Sequence, residues 1–144
     1  MLDTDQVYPS DTISKLSSHD ADIVGAAVHR RYPPFDTILL RGEPGKYIHV
    51  SDEDCYSGSP IEVDATGTGC LLIDTAVFIE MERPWFEFGQ TETGKTIGED
   101  LLFCHKSRKL GKRIIVDTSI EVDHLTTFRV DGATRTLWKK LQAA

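Results

Sequence analysis

A chain of 144 residues, 40% hydrophobic and 27% charged, is long enough for one globular domain with a buried core. Its formal net charge of −7 excludes broad, charge-driven nucleic-acid binding, which needs a basic face. The longest apolar run is too short to span a bilayer, and no basic segment followed by an apolar stretch opens the chain as a secretory signal would.

The chain opens with Asp3-Thr4-Asp5, two carboxylates one residue apart. In extended backbone, residues i and i+2 face the same side, so Asp3 and Asp5 can turn toward one ligand. Two carboxylates that close repel unless a cation lies between them, and a divalent ion bridging to phosphates is one solution. The alternative is an ordinary turn residue at Asp5 and a solvated charge at Asp3. Ser10 as N-cap predicts a helix over residues 11–19, with Ile13 and Leu16 on its inner side. Ile23-Val24-Gly25-Ala26-Ala27-Val28 reads as a buried strand with a basic end, His29-Arg30-Arg31, stopped by Pro33-Pro34. A hairpin is expected from residues 37–40, the Gly- and Pro-rich turn at 41–46, and residues 47–50. Residues 51–60 read as a polar surface loop, with Asp52-Glu53-Asp54 as a solvated charge cluster.

Residues 61–64 alternate as a strand. Gly67-Thr68-Gly69 then leads into the apolar strand Cys70–Ile73, and glycines there permit either a turn or a close approach of backbone to ligand. Asp74 is placed to cap a helix running to Met81. After an aromatic stretch around Trp85 and a polar loop at 90–96, Glu99 and Asp100 open a helix that Gly111 ends. Residues 114–116 form another strand, Asp117-Thr118 a turn, and residues 120–125 a further strand. Residues 134–142 form the last helix, with Leu137, Trp138 and Leu141 as its apolar face. Cys55, Cys70 and Cys104 match no zinc or redox spacing; Cys70 and Cys104 read as core residues, and a reducing, cytoplasmic location is expected. This order predicts an α/β domain over residues 1–144 with a mixed sheet flanked by helices.

Five stretches in this order, LDTD at 2–5, DADIVGAAVHRRYPP at 20–34, ATGTGCLLI at 65–73, GEDLLFC at 98–104 and VDTSIEVDHL at 116–125, resemble the second half of a GT-A glycosyltransferase of the family 2-like kind found in phage and bacterial genomes. The resemblance covers about residues 2–129. It implies a partial GT-A-like fold and transfer of sugar from a nucleotide-sugar to a carbohydrate acceptor. By resemblance, Asp3 and Asp5 hold Mn2+ or Mg2+, and His124 completes the metal site. Asp100, beside Glu99, is the general base, Gly67, Thr68 and Gly69 line the donor-sugar pocket, and Trp85 stacks on the acceptor. From the residues alone, Glu99 and Asp100 are also what the helix dipole favours in a first turn. His124 can equally be structural, and Trp85 a core residue. The family's N-terminal nucleotide-binding half, roughly a hundred residues by analogy with doubly wound folds, has no counterpart here. A domain incomplete on its own is therefore expected, with homo-oligomerisation, most simply a dimer, covering the exposed sheet edge. The alternative is a non-catalytic remnant or a binding or oligomerisation module.

Overall fold

The computed structural model describes residues 1–127 and 131–142. Its centre is a parallel pair, β2 (Ile23–Val28) and β10 (Ile114–His124). All six residues of β2 are buried, because both faces of the strand are covered. Ile23, Ile114 and Val116 join one core, while Val24, Ala26, Val28, Ile120 and Val122 join a second with Leu16 and Cys70.

Around this pair the sheet is mixed. β7 (Leu71–Ile73) runs antiparallel to β2. The other edge of β10 is shared by two short antiparallel strands: β5 (Pro60–Glu62) near its start and β1 (Gln6–Val7) near its end. A second sheet has the order β4 (Ile48–His49), β3 (Leu39–Arg41), β6 (Ala65–Thr66), and β8 (Gly89–Gln90) pairs with β9 (Thr96–Ile97) as a hairpin. The helices are α1 (Thr12–Leu16), α2 (Asp52–Cys55), α3 (Thr75–Glu80), α4 (Glu99–Lys109) and α5 (Gly132–Gln142). The expected α/β domain with a mixed sheet is present.

Several elements depart from the sequence reading. The two strands expected on either side of an Asp117-Thr118 turn are one strand, β10, interrupted by a register shift between Asp117 and Glu121. Asp117 supports this irregularity: its carboxylate accepts the Ser119 N–H at 2.9 Å and lies 2.8 Å from His19 Nε2. The turn-forming residues thus bulge the strand instead of ending it. The surface loop at 51–60 contains α2, capped by Ser51 Oγ accepting from Asp54 N–H, with the acidic run in its first turn. The first helix begins at Thr12 behind Asp11, not behind Ser10, and Ile13 is exposed. Cys55 joins Cys70 and Cys104 as a buried free cysteine. In α5, Leu137 and Leu141 are exposed, while the side chain of Trp138 lies outside the described residues.

Among the described residues no helix is long and apolar enough to cross a membrane.

Candidate functional site

Parallel strands gather ligand sites at their carboxyl ends, outside the sheet. Here those ends are His29-Arg30-Arg31 after β2 and Asp123-His124 of β10. Strand β1 pairs Gln6 with His124, and Leu125 N–H donates to Asp5 O at 2.8 Å, so the first turn of the chain folds onto the end of β10. This puts Asp5 Oδ2 3.6 Å from His124 Nε2.

The imidazole is oriented by its other nitrogen. Nδ1 lies 2.8 Å from His29 O, and a carbonyl only accepts, so Nδ1 carries the proton and donates it. In the neutral ring Nε2 is then a bare lone pair, buried, with no hydrogen-bond partner among the described residues. Two acceptors, that lone pair and the Asp5 carboxylate, face one another and invite a proton or a cation between them. Arg31 Nη1 already reaches Asp5 Oδ2 at 2.8 Å from the neighbouring end of β2.

Asp3 is held through its backbone. Its N–H donates to Gly69 O at 2.9 Å, and Leu2 bridges Cys70. Tyr8 Oη lies within hydrogen-bonding distance of both Asp3 O and Gly69 O, with one proton to give. A Cβ at Gly69 would have to displace the Gln6 side-chain amide. Two residues earlier, a Cβ at Gly67 would stand 3.2 Å from Ile38 Cδ1 and 3.9 Å from Asp100 Oδ2. The Gly67-Thr68-Gly69 segment therefore runs from the first turn of the chain to the first turn of α4.

Helix α4 is fixed from beneath. Phe103 stacks on Phe86 with ring centroids 4.4 Å apart, and Cys104 Sγ donates to Thr66 O at 3.5 Å. Burial pushes the Cys104 thiol up to about 12, so it stays a protonated core group. Asp100 is half-buried. Desolvation raises its carboxyl above the usual range, and neither the Leu101 N–H bonded to Oδ1 at 2.7 Å nor the positive field of Arg30 offsets this. Its neighbour Glu99 is exposed.

The structure thus brings Asp5 together with His124, Asp3 with Gly69, and Gly67 with Asp100. Asp3 does not complete a three-residue group with Asp5 and His124: among the described residues no cluster of three or more His, Cys, Asp or Glu side chains is arranged to hold a metal ion. Trp85 packs elsewhere, against Phe78 of α3 at 4.9 Å, with the Arg83 guanidinium 4.5 Å over its ring and Nε1–H donating to Met81 O. One face of the indole is already occupied by a cation.

Sequence reasoning noted the basic end of β2 but gave it no role. Its consecutive arginines differ: Arg31 pairs with the carboxylate of Asp5, while Arg30 makes no ion pair among the described residues and only adds a weak positive field at Asp100. The usable signal was two arginines at the carboxyl end of a fully apolar strand, where a sheet collects its ligands.

No family model and no curated protein matches the chain. Among solved structures, the crystal structure of A197 from STIV superposes with a TM-score of 0.58 at 18% identity, over 88% of this chain and 56% of that one. The likeness is one of fold, and the chain spans little more than half the length of A197.

Proposed function

We propose that the chain is the metal- and acceptor-binding half of a GT-A-like glycosyltransferase, moving a sugar from a nucleotide-sugar to a carbohydrate hydroxyl. The observation that carries this is the buried, unpartnered Nε2 of His124 facing Asp5 across 3.6 Å. A histidine whose Nδ1–H is fixed by a backbone carbonyl is oriented as metal-ligating histidines are. Two protein donors suit this role, because magnesium-like ions are commonly held by one or two carboxylates plus substrate phosphates and not by an all-protein cage. Asp3, exposed on the same turn, is the second carboxylate that can swing toward a bound ion. A Mn2+ or Mg2+ ion there would stabilise the negative charge that develops on the leaving diphosphate.

In the transfer, the acceptor oxygen bonds to the anomeric carbon while the bond from that carbon to the diphosphate oxygen breaks, and its electron pair leaves with the diphosphate. Asp100 takes the acceptor proton. Its place in the first turn of α4 favours the anion and weakens the base, but burial outweighs this and raises its proton affinity. Gly67 leaves the space beside Asp100 free of a side chain. Glu99, exposed, does not share this environment and contributes charge to the helix start. Trp85 would have to present its ring edge or displace Arg83 to meet an acceptor sugar.

Calorimetric titration with Mn2+, alone and with a panel of uridine diphosphate-sugars, tests the reading. The wild type is expected to bind Mn2+, and Asp5→Ala to weaken it by about ten-fold or more. Absence of Mn2+ binding by the wild type would overturn it.

The Arg31–Asp5 ion pair favours a second reading, a binding or oligomerisation module in which arginine stands where the metal would and no chemistry occurs. Under either reading a dimer through the outer edge of β7 is proposed. Backbone bonds between Met1 and Leu71 close one end of that edge, no strand pairs with its remainder among the described residues, and Leu72 on it is exposed. Light scattering coupled to size exclusion should return a dimer, and a monomer at all concentrations would remove this part.

A further inference from the structure

Against Leu101, the residue after Asp100, lies a cavity of about 190 Å³ that the site described above does not use. Its walls are the β3–β4 hairpin, with Tyr47 and His49, and the β8–β9 hairpin, with Lys95 and Thr96; Arg30 closes it from the end of β2, and Leu101 of α4 forms part of its floor. The two hairpins meet closely because Gly45, at φ +84°, has no side chain: a Cβ there would stand 2.9 Å from Thr91 Cγ2. Among the described residues none that lines the cavity is acidic, although the chain as a whole carries −7. None of Arg30, His49 or Lys95 has an ion-pair partner among the described residues. The neighbouring, larger groove over α4 differs on both counts: Glu43 and Glu92 line it, and its His105 and Lys106 are paired with Glu43 and Glu87.

We propose that this cavity is an acceptor subsite for a compact oxyanion, a phosphate or carboxylate carried by the sugar acceptor, held by Arg30 and Lys95 with His49. The size fits: the cavity is smaller than a pocket for a whole drug-sized ligand and takes one substituent group. The charge fits too, since a guanidinium offers paired donors to phosphate or carboxylate oxygens and an ammonium adds a point charge. The positive charge of Arg30 also acts at Asp100, which lessens the repulsion between that carboxylate and a bound anion. An acceptor anchored this way presents a neighbouring hydroxyl to Asp100. This assignment rests on the reading of Asp100 as the base of a transferase.

The test is an NMR titration of the full chain with glucose 6-phosphate, D-glucuronate and glucose, following the amides of Thr96, Ile97 and Leu101, with Mn2+ titrated separately. Both anionic sugars are expected to shift these amides and glucose not to; the tighter of the two identifies phosphate or carboxylate as the natural group. Arg30→Ala combined with Lys95→Ala should weaken the anionic sugars by about ten-fold or more, and Lys109→Ala, in the neighbouring groove, should not. Equal binding of glucose, shifts confined to the Lys106 and Lys109 groove, or anion binding unchanged in the double variant would each overturn the subsite. Loss of Mn2+ binding with anion binding retained would remove the transferase reading and leave the anion pocket standing.

Discussion

The two ends of the β2–β10 pair use their charged residues differently. At the amino end the charges are answered. Arg113 N–H donates to Asp22 Oδ2 at 2.8 Å, its Nε reaches Glu62 at 3.0 Å, and Lys112 pairs with Glu80 at 2.8 Å and Asp22 at 3.8 Å. At the carboxyl end, among the described residues, His124 Nε2 is buried without a hydrogen-bond partner and Arg30 has no ion pair, and Asp100 is half-buried with its proton held more tightly than usual. One end spends its polar groups on closing the fold. The other pairs Arg31 with Asp5 but leaves His124 Nε2 and Arg30 unanswered among the described residues, and such departures from local satisfaction mark candidate functional positions.

If this contrast is right, each end breaks in its own way. The largest stability loss is expected at the amino end. Asp22→Ala removes the acceptor for Arg113 N–H and a partner of Lys112, and should cost about 1–2 kcal/mol in urea unfolding while leaving Mn2+ affinity unchanged. The mirror case is Asp5→Ala, the variant expected to lose Mn2+. Its ion pair with Arg31 is exposed on both sides, so it should shift stability by no more than about 0.5 kcal/mol. Asp5→Ala costing more than Asp22→Ala would erase the distinction between the ends.

How far the sequence foretold this molecule depends on which interactions set each feature. Local patterning sufficed for β2, whose apolar run of six is buried throughout, and for α4, whose inner residues Phe103 and Ser107 are buried and whose end is marked by Gly111 at φ +76°. It failed where a distant segment decides. Asp117-Thr118 has the chemistry of a turn, but hydrogen bonds to β2 and β5 on either side carry the strand through it. Strand β1 is only two residues long and exists because β10 offers an edge. In the candidate site the resemblance named Asp5, His124, Gly67 and Asp100, residues that prove to be neighbours in pairs. It could not reveal that Arg31 pairs with Asp5, or that Arg30 lines a cationic cavity, because both depend on where β2 ends in space.

The smallest effect separates a site residue from a structural one most sharply. Asp100 has its pKa raised in the folded chain, chiefly by desolvation. When pH lies below the unfolded value, about 3.9 for aspartate, both states are protonated and burial carries no electrostatic penalty. As pH rises toward and through the folded value, the unfolded chain releases the proton first, so stability present in acid is progressively lost. Asp100→Asn cannot ionise and keeps the Leu101 N–H acceptor on its amide oxygen. Its stability should therefore fall less than the wild type's as pH rises from about 4 to 7, leaving it modestly more stable near neutrality, as urea unfolding at several pH values would register. Parallel curves would mean that Asp100 is solvated and no better a base than any surface aspartate. A stabilised variant that binds Mn2+ and the anionic sugars normally yet transfers nothing would mark Asp100 as a carboxylate kept at the expense of the fold, as active-site groups are.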